Sequence, residues 1–128
     1  MFIQNLEPKQ QSALLYLAKE VMDADDELHE CEDQVLSLLM SQVDTSVAPE
    51  AISLEGLSAL FDTNSSKASL LLELIGVAHA DGDYHHNENA LIKKYAQFLG
   101  VTEEKLLKLE NWVSKQLSLS VEAQELLV

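Results

Sequence analysis

Leu70-Leu71-Leu72-Glu73-Leu74-Ile75-Gly76-Val77-Ala78-His79-Ala80 is the stretch whose reading decides the fold. Wound at 3.6 residues per turn it is apolar on most sides, as expected for a helix at the centre of a core. Glu73 interrupts it, and it is too short to span a bilayer. Nowhere does the chain sustain the period-two, β-branched alternation of a half-buried strand, so the fold class is all-α.

Working outward, Pro8 suits the first turn of a helix carrying Leu14, Leu15, Leu17, Ala18, Val21 and Met22. A second helix should hold Val35, Leu36, Leu38, Leu39, Met40 and Val43. A third is expected from about Pro49 to Phe61, with Ile52, Leu54, Leu57 and Leu60 inward. The polar run from Asp62 to Ser66 then precedes the central helix. Two more follow: His86 to Leu99, stopped by Gly100, and Glu103 to Leu117, capped by Thr102. A short terminal helix is expected from Val121 onward. Trp112, with Leu109 and Val113, is expected to anchor the sixth helix in the core; the alternative is an exposed tryptophan that marks a partner surface. Lys93, Lys94, Lys105 and Lys108 read as solvated faces at spacings that pair with glutamates.

The two halves repeat at an offset of 56 residues. Leu14-Leu15 aligns with Leu70-Leu71, Val21 with Val77, Ala24-Asp25 with Ala80-Asp81, His29 with His85, and Glu32 with Glu88. Val35 and Leu36 then match Leu91 and Ile92, and Ser46 falls in register with the cap Thr102. Each unit, about 10–61 and 66–117, reads helix, acidic loop, helix, capped turn, helix. Neither could bury its apolar faces alone. The expectation is a single domain over 1–128, a bundle of six to seven helices from two three-helix repeats with approximate two-fold symmetry.

The chain has 128 residues, 8 lysines and no arginine, against 22 aspartates and glutamates, for a formal net charge of −14. Phosphate neutralisation by Lys and Arg is the main source of nucleic-acid affinity, so a nucleic-acid partner is excluded as an expectation. Divalent cations or basic protein surfaces are the partners that this charge favours. The single cysteine, Cys31, cannot make an internal disulfide and sits among carboxylates that blunt its reactivity, so it reads as structural. The first residues carry neither a basic nor a sustained apolar region of a leader, and no segment suits membrane insertion; a cytoplasmic location is expected.

The acidity is concentrated. Seven of the eleven residues from Asp23 to Asp33 are acidic, and three more lie between Asp81 and Glu88. All four histidines, His29, His79, His85 and His86, lie in or beside these two segments. Two readings stand side by side. In the structural one, His29 and His85 occupy N-cap positions, Glu32 and Glu88 complete capping boxes, and Glu30, Glu32 and Asp33 complement a helix dipole. Gly82 then supplies a left-handed residue, and Leu28 and Tyr84 plug the core. That leaves Asp25 and Asp81 at the negative end of a helix, beside other carboxylates that repel them. In the second reading a divalent cation resolves both conflicts. The spacing Asp-x-Asp/Glu-x-x-x-x-Glu (Asp25, Glu27, Glu32; Asp81, Asp83, Glu88) alternates oxygen ligands and closes on a glutamate, but is shorter than an EF-hand loop. Carboxylates alone favour Ca²⁺, Mg²⁺ or Mn²⁺; participation of His85 or His86 would shift preference to Zn²⁺, Ni²⁺ or Mn²⁺.

The segments 24–32, Ala-Asp-Asp-Glu-Leu-His-Glu-Cys-Glu, and 80–88, Ala-Asp-Gly-Asp-Tyr-His-His-Asn-Glu, resemble the duplicated Ala-Asp-Gly-x-hydrophobic-x-x-x-Glu motif of TerB-like domains. These are the tellurite-resistance TerB family and the related N-terminal domain of DjlA-type co-chaperones. The resemblance covers roughly residues 10 to 117. It implies an all-helical fold with the acidic motifs side by side, divalent-metal binding, and a role in tellurite or chemical-stress responses. By position it carries Asp25, Glu27 and Glu32 into the first motif and Asp81, Asp83 and Glu88 into the second. The first copy has Asp26 in place of the glycine. His29 and His85 stand where the family often has a small hydroxyl cap.

No nucleophile with its base, phosphate-cradling loop or oxyanion site is visible, and the expectation is a binding module rather than an enzyme. The leading expectation is divalent-cation capture between the two loops, coupled to partner recognition in a stress system. The alternative is a protein-interaction adaptor or co-chaperone accessory domain whose acidic face docks a basic partner without metal.

Overall fold

The computed structural model describes residues 2–24, 30–79 and 86–128, the side chains of 30–35 and 86 excepted. Six α-helices account for most of them: α1 (Pro8–Asp23), α2 (Glu30–Ser41), α3 (Leu57–Leu60), α4 (Asn64–Ala78), α5 (His86–Leu99) and α6 (Glu103–Leu126). Single 3₁₀ turns lie at Ile3–Asn5 and Leu54–Gly56, and no strand occurs among the described residues. The all-α bundle is the fold that the helical periodicity requires.

Helix α4 is the centre. Leu70, Leu71, Leu74, Ile75 and Ala78 are fully buried, and the helix packs against α1, α5, α6 and the N-terminal turn. It starts where local chemistry says it should: Thr63 Oγ1 accepts from the Ser66 amide at 3.0 Å, and Ser66 Oγ accepts from the Thr63 amide at 3.2 Å. Glu73, the one charge in the apolar run, is used at the helix surface. Its carboxylate accepts from the amides of Phe2 (2.7 Å) and Ile3 (3.2 Å), which fastens the N-terminal turn to α4 with Ile3 fully buried.

The other boundaries follow equally local rules. Pro8 is the first residue of α1, and Gln10 Oε1 accepts from the Glu7 amide at 2.9 Å. Helix α5 ends at Gly100, whose φ of +76° is open to glycine at little cost. The Gly100 amide donates to Gln97 and the Val101 amide to Ala96, closing the terminal carbonyls in a Schellman arrangement. Thr102 Oγ1 then accepts from the Lys105 amide at 3.2 Å and starts α6. The starts of α1 and α4, at 8 and 64, differ by the same 56 residues as the sequence match.

The third element of each unit departs from expectation. The helix expected from Pro49 to Phe61 forms only at its end; residues 47–53 are irregular and only Leu57–Leu60 is α-helical. The Glu50 amide donates to Ser12 O of α1 at 3.1 Å, a tertiary bond that holds the chain out of helix. Ser53 then caps the 3₁₀ turn by accepting from the Gly56 amide at 3.2 Å. Ser46 is not a helix cap: its amide and hydroxyl both donate to Asp44 Oδ1 at 3.0 Å, forming a turn. Leu57 is fully buried, while Ile52, Leu54 and Leu60 are half-buried. Gln10 Nε2 reaches Leu60 O at 2.9 Å and ties α1 to this segment.

The separate terminal helix expected from Val121 is instead the continuation of α6. Ser118-Leu119-Ser120 contains no glycine or proline to stop the helix, and Ser120 Oγ bonds back to Gln116 O at 3.0 Å. Leu109 and Val113 are buried as expected, but Trp112 is 42% exposed, edge-on to Phe2 with ring centroids 5.4 Å apart. One helical step of 100° separates Trp112 from Val113 and carries the indole off the buried face. Lys93, Lys94, Lys105 and Lys108 are exposed, with Lys108 4.0 Å from Glu104.

Candidate functional site

The two acidic segments are framed by equivalent helix pairs. Helix α1 ends at Asp23 and α2 begins at Glu30; α4 ends at Ala78 and α5 begins at His86. Residues 25–29 and 80–85 lie outside the described residues, and with them Asp25, Glu27, Leu28, His29, Asp81, Gly82, Asp83, Tyr84 and His85. Glu32 and His86 are placed on α2 and α5 by backbone alone, as is Cys31.

Glu88 lies in the first turn of α5, where a carboxylate complements the positive end of the dipole, and Glu32 lies at the matching place in the sequence of α2. The Glu88 side chain is only 3% exposed. It is engaged with its surroundings, and no buried side-chain nitrogen or oxygen among the described residues lacks a hydrogen bond. Helix α5 is further held by Asn89, which donates to Glu110 Oε1 on α6 at 3.1 Å. His79, directly after α4, is half-buried and its amide donates to Ile75 O. Of the six expected carboxylate ligands, Glu88 alone has a described side chain. Among the described residues no three His, Cys, Asp or Glu side chains converge.

One polar cluster near these helix ends was not anticipated. Glu20, in the last turns of α1, accepts from the Tyr95 hydroxyl of α5 at 2.7 Å, and Tyr16 one turn earlier also bonds to it. Burial first, then the Glu20 carboxylate, pushes the Tyr95 phenol far above its ordinary range; the hydrogen bond to Glu20 raises Tyr16 as well. Tyr95 is fully buried, so this bond locks the helix that leads into the first acidic segment to the helix that leaves the second. Its counterpart 56 residues earlier is Leu39, which makes the device specific to one half. The spacing of Tyr16 and Glu20, four residues apart on one helix face, was the available signal.

A family model described as Tellurite resistance protein TerB matches residues 39–111, more than half of the chain. This chain belongs to the TerB family. The match takes in α3, α4, α5 and the second acidic motif at 80–88, and begins after the first motif at 24–32. No curated protein and no solved structure gives a match. No helix among the described residues of this TerB domain is long and apolar enough to cross a membrane.

Proposed function

We propose that this TerB domain is a non-enzymatic acidic module that binds a divalent cation at its duplicated motifs in a tellurite or chemical-stress response. The observation that carries the reading is the family match across the second motif. The 56-residue offset of the sequence match, shared by the starts of α1 and α4, supports extending it to the first. Asp25, Glu27, Glu32, Asp81, Asp83 and Glu88 would hold the ion, a set of hard carboxylate oxygens suited to Ca²⁺, Mg²⁺ or Mn²⁺. His85 and His86 are the residues that would shift the preference toward Zn²⁺. A bound cation supplies the positive charge that offsets repulsion among these carboxylates. The protein's part is to hold the helices on either side of the two acidic segments, through the packing on α4 and the Glu20–Tyr95 bond.

Isothermal titration calorimetry with Ca²⁺, Mn²⁺ and Zn²⁺ on the wild type and Asp81→Asn tests this. Saturable binding, weakened about tenfold or more by the substitution, is expected, since even loss of an outer-shell partner of a metal ligand costs about 10–100-fold in affinity. No saturation at millimolar metal would overturn it. Salt-sensitive capture of a basic peptide by metal-free protein would instead support an adaptor that docks its partner directly.

A further inference from the structure

The two acidic segments share a carboxylate spacing, but the helices that leave them are not held alike. Helix α5, after the second segment, packs against α1, α3, α4 and α6. Glu88, Ile92, Tyr95, Ala96 and Leu99 are buried along it. Two bonds pin it from different directions: Tyr95 donates to Glu20 of α1 at 2.7 Å, and Asn89 to Glu110 of α6 at 3.1 Å. Helix α2, after the first segment, makes extended contact only with α1 among the described residues. Of its side chains from 36 to 41 only Leu39 is buried, and Leu38 is 61% exposed. The first half lacks the means to form either pin. Leu39 stands where α5 has Tyr95 and carries no hydroxyl; Asp33 stands where α5 has Asn89 and, ionised, has no proton to donate. The family match draws the same line, covering the second motif and beginning after the first.

We propose that the two motifs are unequal: the second is the tight cation site, and the first binds a second cation more weakly and, when filled, fastens α2. The inference rests on the cation reading above and sets the order in which its two motifs fill. A ligand is bound more tightly when the groups that receive it need no ordering at that moment. Glu88, which closes the second motif, is buried, engaged with its surroundings and carried on a helix held by four others, so it is positioned before an ion arrives. Glu32, which closes the first, is carried on a helix with one extended neighbour. Part of the binding free energy of that motif therefore goes into fixing α2. The first segment has seven acids against three, but this surplus does not reverse the order. Attraction from solvated charges is screened by salt, so the surplus makes the first motif the more salt-sensitive of the two.

Calorimetric titration of the full chain with Mn²⁺ or Ca²⁺, at about 0.15 M and about 0.5 M NaCl, tests the order. Two steps are expected, with dissociation constants at least about tenfold apart. Asp81→Asn should remove the tight step. Asp25→Asn should remove the weak step and leave the tight one within about twofold, as for independent sites. Added salt should weaken the weak step more than the tight one. Hydrogen exchange read by mass spectrometry follows the helices themselves. Amides of 36–41 should gain protection only as the weak step fills, whereas those of 90–99 should be protected throughout. Circular dichroism without metal keeps loss of fold apart from loss of binding. No saturable binding by the wild type would overturn the cation reading, and the order with it. Saturable binding in one step that either variant weakens equally, a first motif tighter than the second, or full protection of 36–41 before any metal is added would overturn the order alone.

Discussion

The Tyr95 hydroxyl is the residue-scale feature with the clearest energetic signature. It is buried and donates to a carboxylate 75 positions away in the chain, a class of hydrogen bond that contributes about 1.5–3 kcal/mol. Tyr95→Phe should lower the unfolding free energy by about that amount in urea titrations, because Glu20 loses a donor at a half-buried place. The pH dependence has a definite sign. The phenol ionises near 10.0 when unfolded and well above that when folded, so the folded state holds its proton longer. Its contribution is complete below pH 10 and declines as pH rises beyond it. Wild type should therefore lose stability above pH 10 more steeply than Tyr95→Phe, measured by urea midpoints across alkaline pH. Gly100 offers a second residue-scale check. A Cβ there meets nothing within 4 Å, so Gly100→Ala isolates the backbone term alone. At φ +76° that substitution should cost about 1 kcal/mol; a neutral result would show that the α5–α6 corner relaxes freely.

At the scale of elements, the first residues of the N-terminal turn hang on Glu73 of α4, while Asn5 donates to Ser69 Oγ at 3.3 Å and Gln11 Nε2 of α1 donates to Ile3 O and Leu6 O at 3.1 Å. Glu73→Ala removes the acceptor for the Phe2 and Ile3 amides. The turn should then detach, Phe2 should leave Trp112, and the emission of this lone tryptophan should shift to the red. An unchanged spectrum would mean that Ile3 burial and the bonds made by Asn5 and Gln11 hold the turn without Glu73. The same elements show what the sequence could and could not reveal. Caps and stops were legible because they are local chemistry: Pro8, Thr63, Gly100 and Thr102 act within a few residues of themselves. The 47–53 segment was not, because the bond from the Glu50 amide to Ser12 O is tertiary and overrides an apolar spacing that reads as helix. Trp112 was misplaced for a related reason: periodicity assigns a face, but only packing decides where the edge of that face lies. At the candidate site the two acidic motifs stood out because their carboxylates and histidines are close in sequence. The Tyr95–Glu20 lock did not, since a phenol and a carboxylate on two amphipathic helices carry no mark of being partners.

For the whole molecule, the charge of −14 makes two effects separable that are easily confused. Self-repulsion of 22 acids against 8 lysines destabilises the compact state, so any salt that screens it should raise Tm. Cation capture is different, because a ligand that binds only the folded state stabilises in proportion to the logarithm of its concentration over its dissociation constant, about 2.7 kcal/mol at one hundred times that constant. Scanning calorimetry at matched ionic strength distinguishes them. NaCl should raise the Tm of the wild type and of the Asp25→Asn/Asp81→Asn variant alike. Millimolar Ca²⁺ or Mn²⁺ should add a further rise in the wild type alone. The variant begins with less repulsion, so its metal-free Tm should equal or exceed that of the wild type. That ordering, higher without metal and lower with it, cannot come from screening, and it follows only if Asp25 and Asp81 trade folding stability for a cation.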